Sequence, residues 1–569
     1  MHPSIVAKRA WLLLFVAISA LYLWGLGYFP LVGPDEPRYA QVAREMLERR
    51  DLITPTLGGI PWFEKPPLLY WMMMLSYRLL GVTEYAARVG PALCGLTTAV
   101  FIYWIARAIG NPFNTIPQVD ARNYEDGAIA RWSALLWLSS LGAVGLSRAA
   151  SFDIVLTMTV AGAFAFFVNY LLPTRTHGAT SSIASPRDPR TTLLIGFYFF
   201  AGLSTLAKGL IGFVIIFGVV ALYYVVRRER PSHGLVTSLI WGSPLSLVVA
   251  GVWFLPMFAR HGWTFIDQFI IQHHFARFVS NKYHHPGPIY FYLPVVLGLA
   301  FPWTIGLGAA LISVRRWAWR GQSALDCLRV FALLWLFVPI VFFSFSGSKL
   351  TAYILPVLPA IALLVGERIA CALKAERGQP LLRLTGAMLI GLAAAGYWYM
   401  HRHYDVATYC LIIAATPLAI VGGATLVRPQ LRRPLFVLIA VVVFVTSAVV
   451  LKCAAPVVAR TESVRDLLTT AAARGYATTP VVQLHTIERT AEFYAAGRLT
   501  YQKDGEPVKF EGVIQVTEAA RRNNGVVLCF VPLQFESQLI SFAGAQTEII
   551  GDNGRVALVA VRELQKRER

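Results

Sequence analysis

Charge is what this sequence is short of. Asp, Glu, Lys and Arg make up 14% of its 569 residues, against 56% hydrophobic ones. A soluble globular chain of that length needs more polar surface, so a soluble enzyme is excluded. A polytopic membrane protein is indicated, in line with a mean hydropathy of +0.56. Acids are scarcest, 31 against 51 Lys and Arg, a net charge of +20. That excess is not gathered on one soluble module, which argues against nucleic acid as a partner. It falls in short connections between apolar runs, where it sets topology and meets anionic membrane lipid. The six cysteines (Cys94, Cys327, Cys371, Cys410, Cys453, Cys529) show no CxxC or other ligand spacing and read as buried single thiols. There is no GxGxxG, no phosphate-cradling loop, no internal repeat and no low-complexity tract, so nothing points to a nucleotide site. Residues 11–29 lack a cleavage-site pattern and read as a retained first span, not a signal peptide.

Long apolar runs are plentiful, with 15 Trp and 23 Tyr to furnish interfacial belts. Thirteen runs are expected to span: 11–29, 88–108, 132–147, 154–173, 191–206, 209–226, 236–257, 290–313, 329–345, 352–373, 383–400, 407–426 and 434–451. A tight turn is expected at Lys208, because a lysine at mid-membrane would cost about 3 kcal/mol. With that count, Lys8 and Arg9, Arg227 to Arg230, Arg315 to Arg320, Arg368 to Arg383 and Arg428 to Arg433 all fall on one side, the cytoplasm. The segments around Asp35, Glu64, Arg148, Asp153, Lys208, His274 and Lys349 then share the outer face. The expected fold is a polytopic α-helical membrane protein of about 13 transmembrane helices (residues 1–452). Interfacial helices occupy its first external loop, and a small C-terminal α/β domain (453–569) lies outside.

The outer connections carry the chemistry. Tyr39, Val42, Ala43, Met46 and Leu47 fall on one helical face after Pro34-Asp35-Glu36-Pro37-Arg38, as in a helix lying on the bilayer. Asp35 could cap that helix or face the lipid–water boundary. Trp62-Phe63-Glu64-Lys65-Pro66-Pro67 follows, then Ser147 to Asp153, Lys208, the aromatic and basic loop 259–289, and Gly347 to Pro356. Carboxylates and fixed cations on one face suit a phosphate headgroup, with a nearby acid to orient or deprotonate a nucleophile. Each cation taken singly also fits snorkelling, and the pairs His273-His274 and His284-His285 also fit interfacial polarity. Alternatively His274 and Glu64 hold a divalent cation such as zinc or magnesium.

Asp35-Glu36 after the first span, Phe63-Glu64-Lys65-Pro66, Lys208-Gly209 and Lys349-Leu350 with Tyr353 and Pro356 resemble the C-type (GT-C) glycosyltransferases that use lipid-linked sugars. Among these the likeness is greatest to the bacterial aminoarabinose transferases of lipid A, relatives of the protein O-mannosyltransferases. It covers the membrane part and is weak over 455–569. It implies Asp35 as the catalytic acid; Glu36 and Asp153 are catalytic candidates beside it. It implies a polyprenyl-phosphate sugar donor held among Arg38, Tyr39, Lys65, Lys208, Arg277, Lys349 and Tyr353, and lipid A as acceptor. His274 resembles the family's flap histidine; the residue before it, usually acidic there, is His273 here. The implied location is the bacterial inner membrane, with the site and tail periplasmic. Three carboxylates suit an amino sugar's cation, favouring aminoarabinose over a neutral sugar such as mannose passed to protein hydroxyls. A transporter of lipid-linked sugars would show related halves, broken mid-membrane helices and mid-bilayer charges, none of which is visible in the sequence.

Overall fold

The computed structural model describes residues 3–110, 127–176, 191–276, 287–502 and 505–563. Its helices open with α1 (Pro3–Leu23), α2 (Asp35–Arg49), α3 (Leu68–Leu80), α4 (Glu84–Arg107), α5 (Ala128–Leu138), α6 (Leu141–Leu146), α7 (Phe152–Thr176), α8 (Thr191–Lys208), α9 (Ile211–Arg227) and α10 (His233–Phe265). Among the described residues eight helices are long and apolar enough to cross a membrane, or nine if the bent pair Tyr292–Leu299 and Thr304–Arg316 is one span. The other expected runs form shorter helices, so the count of thirteen is not reached by length. The 11 residues of α5 rise only about 16 Å, half a hydrocarbon core.

Lys208 closes α8, and Gly209 at φ +72° turns the chain into α9, as the cost of burying a lysine requires. The run 236–257, by contrast, extends well past its expected end. Its helix continues through Phe265 and on to Ala276 as a wider-wound segment, with one non-helical residue at Gly262. Helix breaks do occur, contrary to the sequence expectation. The two halves of the run 290–313 meet at 115°, where Pro302 removes a ladder donor. The Trp303 indole donates to Ser139 Oγ at 3.0 Å, and Leu141 N–H donates to the Phe301 carbonyl at 2.8 Å. This break therefore packs against the one between α5 and α6. Neither break carries a charged residue.

The first external loop is built around α2. Its apolar face (Tyr39, Val42, Ala43, Met46) is buried, as the spacing predicts. No side chain caps its start, so Asp35 is the first helical residue and not a cap. Beyond it, β1 (Thr56–Leu57) and β2 (Ile60–Pro61) pair through Gly58-Gly59, both at positive φ, the two-residue loop that matches strand twist. Both glycine N–H groups donate to the Glu45 carboxylate, at 2.7 and 3.0 Å. A Cβ on Gly58 would lie 2.2 Å from the Tyr501 ring, whereas one on Gly59 would meet open space. Gly58→Ala is therefore expected to cost about 2–4 kcal/mol, from the left-handed backbone and the overlap together. Gly59→Ala is expected to cost only about 1–2 kcal/mol. Proteolytic release of the tail reads this difference; equal rates in the two variants would mean that Tyr501 does not hold the hairpin.

The tail carries one five-stranded sheet, β3 (Val481–Leu484), β4 (Lys509–Phe510), β5 (Val526–Pro532), β6 (Ala545–Asp552) and β7 (Val556–Glu563), ordered β4-β3-β5-β7-β6. The first three strands in that order are parallel and the last two antiparallel. Alternation in β5 sends Leu528 and Phe530 to one buried layer and Val527, Cys529 and Val531 to the other. The strand β6 has one buried residue, Ile550, and its alternation is interrupted by a register shift between Ile549 and Gly551; it was not foreseen.

The reading of six single thiols fails for two of them. Cys410 and Cys453 form a disulfide, 43 residues apart in sequence with Cα atoms 5.9 Å apart. Local spacing carries no sign of such a pair, because the packing of helix Thr408–Val427 on the start of the tail creates it. Maleimide counting on denatured protein is expected to find four thiols without reductant and six with it. Six before reduction would refute the bridge.

Candidate active site

Two adjacent acids at the start of α2 have opposite environments. Asp35 is exposed, and among the described residues no donor hydrogen-bonds it. Glu36 is 6% exposed and saturated. Its oxygens accept from Arg88 Nε and Nη2 (both 2.7 Å), Val32 N–H (3.1 Å) and Ala150 N–H (2.9 Å). Arg88, wholly buried in α4, spends its remaining donors on the carbonyls of Leu26, Phe29 and Pro30. With every lone pair engaged, Glu36 ties together the first loop, α4 and the segment before α7. Sequence reasoning named Glu36 as a catalytic candidate; in the structure its carboxylate is engaged by these four donors. Arg88 was not singled out because it stands at the edge of an apolar run.

Behind Asp35, Tyr39 and Tyr70 pack their rings on Phe152 (centroids 4.8 and 5.2 Å), next to Asp153. Asp153, at the first turn of α7, pairs with Lys208 from the end of α8. The Lys208 ammonium sits 4.1 Å over the Tyr353 ring. Burial first, then the fields of Asp35, Tyr70, Glu64 and Tyr353, hold the interfacial Tyr39 phenol well above its ordinary pKa. Tyr70 is raised in the same way, by burial and then by Glu64 and Asp35 against Arg38. Asp153, Lys208 and Tyr353 thus meet from three chain segments, and Asp35, Glu64 and Tyr353, from three segments, all act on the Tyr39 phenol.

Glu64 and Lys65 lie 3.9 Å apart after the hairpin. They are backed by Phe63, which is buried against Trp253, Phe265 and Phe269. Lys349 donates to the Ser346 carbonyl at 2.8 Å, which holds it to its own loop. Arg277 and the His274 side chain lie outside the described residues. No three His, Cys, Asp or Glu groups gather as a cation site among the described residues.

Residues 8–266 match the family model described as dolichyl-phosphate-mannose-protein mannosyltransferase. Over 428 residues the chain is 30% identical to the undecaprenyl phosphate-alpha-4-amino-4-deoxy-L-arabinose arabinosyl transferase of Pseudomonas aeruginosa, covering 72% of this chain and 70% of that one. The chain belongs to this arabinosyl transferase family. A Pseudomonas fluorescens enzyme of the same name is 30% identical over 408 residues, covering 69% and 67% of the two chains. The crystal structure of ArnT from Cupriavidus metallidurans bound to undecaprenyl phosphate superposes with a TM-score of 0.74 at 22% identity, over 97% of this chain and 98% of that chain. The fold is therefore that of this ArnT structure over 97% of the chain, tail included.

In this arabinosyl transferase the tail reaches the site. Arg38 stacks over Trp62 (5.2 Å) and meets Glu492 of the tail at 3.7 Å. Burial alone would lower Arg38, but Glu492, Glu64, Asp35 and Glu506 outweigh it and hold the guanidinium more firmly charged. Tyr494 donates to Glu84 (3.0 Å) and accepts from Leu31 N–H (2.7 Å), while Arg44 donates to the Phe493 carbonyl (3.0 Å). Glu492 and Tyr70 were missed by sequence reasoning. The first lies in a stretch with no motif. The second sits in Leu68-Leu69-Tyr70-Trp71, where it passes for an interfacial aromatic. The Tyr70 hydroxyl is buried with no hydrogen-bond partner among the described residues, and no sequence signal announces that.

Proposed function

We propose that this chain transfers 4-amino-4-deoxy-L-arabinose from undecaprenyl phosphate to a phosphate of lipid A at the periplasmic face of the bacterial inner membrane. The observation that carries the reading is the meeting of Asp153, Lys208 and Tyr353 from three segments, beside a Tyr39 phenol on which the exposed Asp35 and Glu64 both act. The bond from the anomeric carbon to the carrier phosphate breaks as an acceptor phosphate oxygen attacks from the opposite side. Charge grows on the departing polyprenyl phosphate, so Lys65 and Lys208 stabilise the transition state more than the ground state. The acceptor is already anionic near pH 7 and needs little help from a base. Asp35 then pairs with the sugar's ammonium group and so orients the donor. Periplasmic placement is supported by the Cys410–Cys453 bridge, which lies where the tail leaves the last helix, since disulfides persist in oxidising compartments.

Mass spectrometry of lipid A from cells with and without this chain tests the reading. The aminoarabinose adduct is expected only where the chain is present. Unmodified lipid A in both strains would favour protein hydroxyl acceptors and overturn the proposal. Lys65→Ala is expected to weaken binding of undecaprenyl phosphate about 10- to 100-fold, the worth of one charged hydrogen bond. Unchanged affinity in a direct binding titration would place the phosphate elsewhere.

A further inference from the structure

The membrane face opposite Asp35 carries a second feature. A groove of about 640 Å³ opens toward lipid between α8, α9 and α10, walled by Tyr198, Phe217, Val220, Tyr224, Val236 and Leu239. From Ile211, next to Lys208, α9 climbs 17 residues to Arg227, about 26 Å and nearly a whole hydrocarbon core. The groove therefore lies in the leaflet away from the site already described. Arg228, Glu229 and Arg230 stand at its mouth. Glu229 is already neutralised, accepting from Arg227 Nη2 at 2.9 Å and Nε at 3.1 Å. Arg227 is itself buried and spends its other donors on the carbonyls of Trp319 and Gly321. Arg228 and Arg230 are exposed and have no ion-pair partner among the described residues. The 33-residue helix α10 starts at this mouth, after Ser232, and turns its positive end toward it.

From an apolar trough ending in two exposed guanidinium groups and a helix N-terminus, we infer a binding site for one anionic glycerophospholipid of that leaflet. An acyl chain lies in the trough and the phosphate lies at Arg228 and Arg230. A zwitterionic lipid offers the same chains without the net charge and does not satisfy the mouth. A partner protein's helix would fill the trough but has no reason to place an anion there.

Native mass spectrometry of the delipidated full-length protein tests this, titrated with phosphatidylglycerol or with phosphatidylcholine of the same acyl chains. Wild type is expected to prefer phosphatidylglycerol about 30-fold, the contribution of two arginines at headgroup depth. The double variant Arg228→Gln/Arg230→Gln is expected to lose that preference with phosphatidylcholine binding unchanged. Val236→Trp, which fills the trough and leaves the charges, is expected to weaken both lipids. Equal binding of the two lipids by wild type, or a preference that survives the double variant, would reduce the groove to ordinary lipid-facing surface and overturn the proposal. If the double variant does not fold, Val236→Trp decides: undiminished phosphatidylglycerol binding there refutes the site.

Discussion

Asp35→Asn is expected to lower transfer by about 10²–10³-fold, the range for removing one positioned electrostatic contact to the reacting sugar, while leaving the protein folded and its affinity for undecaprenyl phosphate, which lacks the amine, intact. Three acids compete for the role, and their surroundings separate them. Glu36 has four donors on its carboxylate, and Asp153 is held by Lys208. Asp35 is the exposed one, turned outward at the first turn of α2. An amide there keeps shape and hydrogen-bonding capacity and removes only the charge. Loss of rate at constant thermal midpoint and constant undecaprenyl phosphate affinity therefore reports on the charge. Asp35→Glu is expected to recover part of the activity. Full activity in Asp35→Asn would remove this residue from the reaction.

Glu36→Ala and Arg88→Ala are each expected to destabilise the fold by about 3–5 kcal/mol, because each leaves its partner charged, buried and uncompensated. Arg88 is the more exposed to this logic, since all five of its N–H groups are engaged. The readouts are the thermal midpoint in detergent and the yield of monodisperse protein. Glu36→Gln keeps an oxygen for the backbone donors and is expected to lose less. Transfer per folded molecule of Glu36→Gln is expected to stay within about tenfold of wild type, well short of the loss from a missing catalytic group. A variant of normal stability with no transfer would return Glu36 to the chemistry and overturn its supporting role.

What could be read from the chain was local. Apolar runs, the α2 face and three of the sheet strands (β3, β5 and β7) follow from periodicity and alternation within a few residues. The helix break at Pro302 was hidden because an apolar run reads the same whether it is straight or bent. The candidate site was legible as residue types on one face, not as partnerships. Lys208 and Asp153 were both named, but only the packing of α7 on α8 makes them a pair. Tyr70, Arg88 and Glu492 were not named, since their importance lies in what surrounds them.

By itself the sequence determined that this chain belongs in a membrane, that its acids and cations gather at helix ends, and that its tail mixes strands with helices. Each is a statement of free energy per residue or per local repeat, and composition and spacing are sufficient for it. The tertiary structure alone decided which of two neighbouring acids is spent on Arg88 and which stays open, which two cysteines meet, and that the tail's Glu492 faces Arg38. Those outcomes depend on groups dozens to hundreds of residues apart being brought within a few ångströms, where hydrogen bonding and Coulomb energy change steeply with distance.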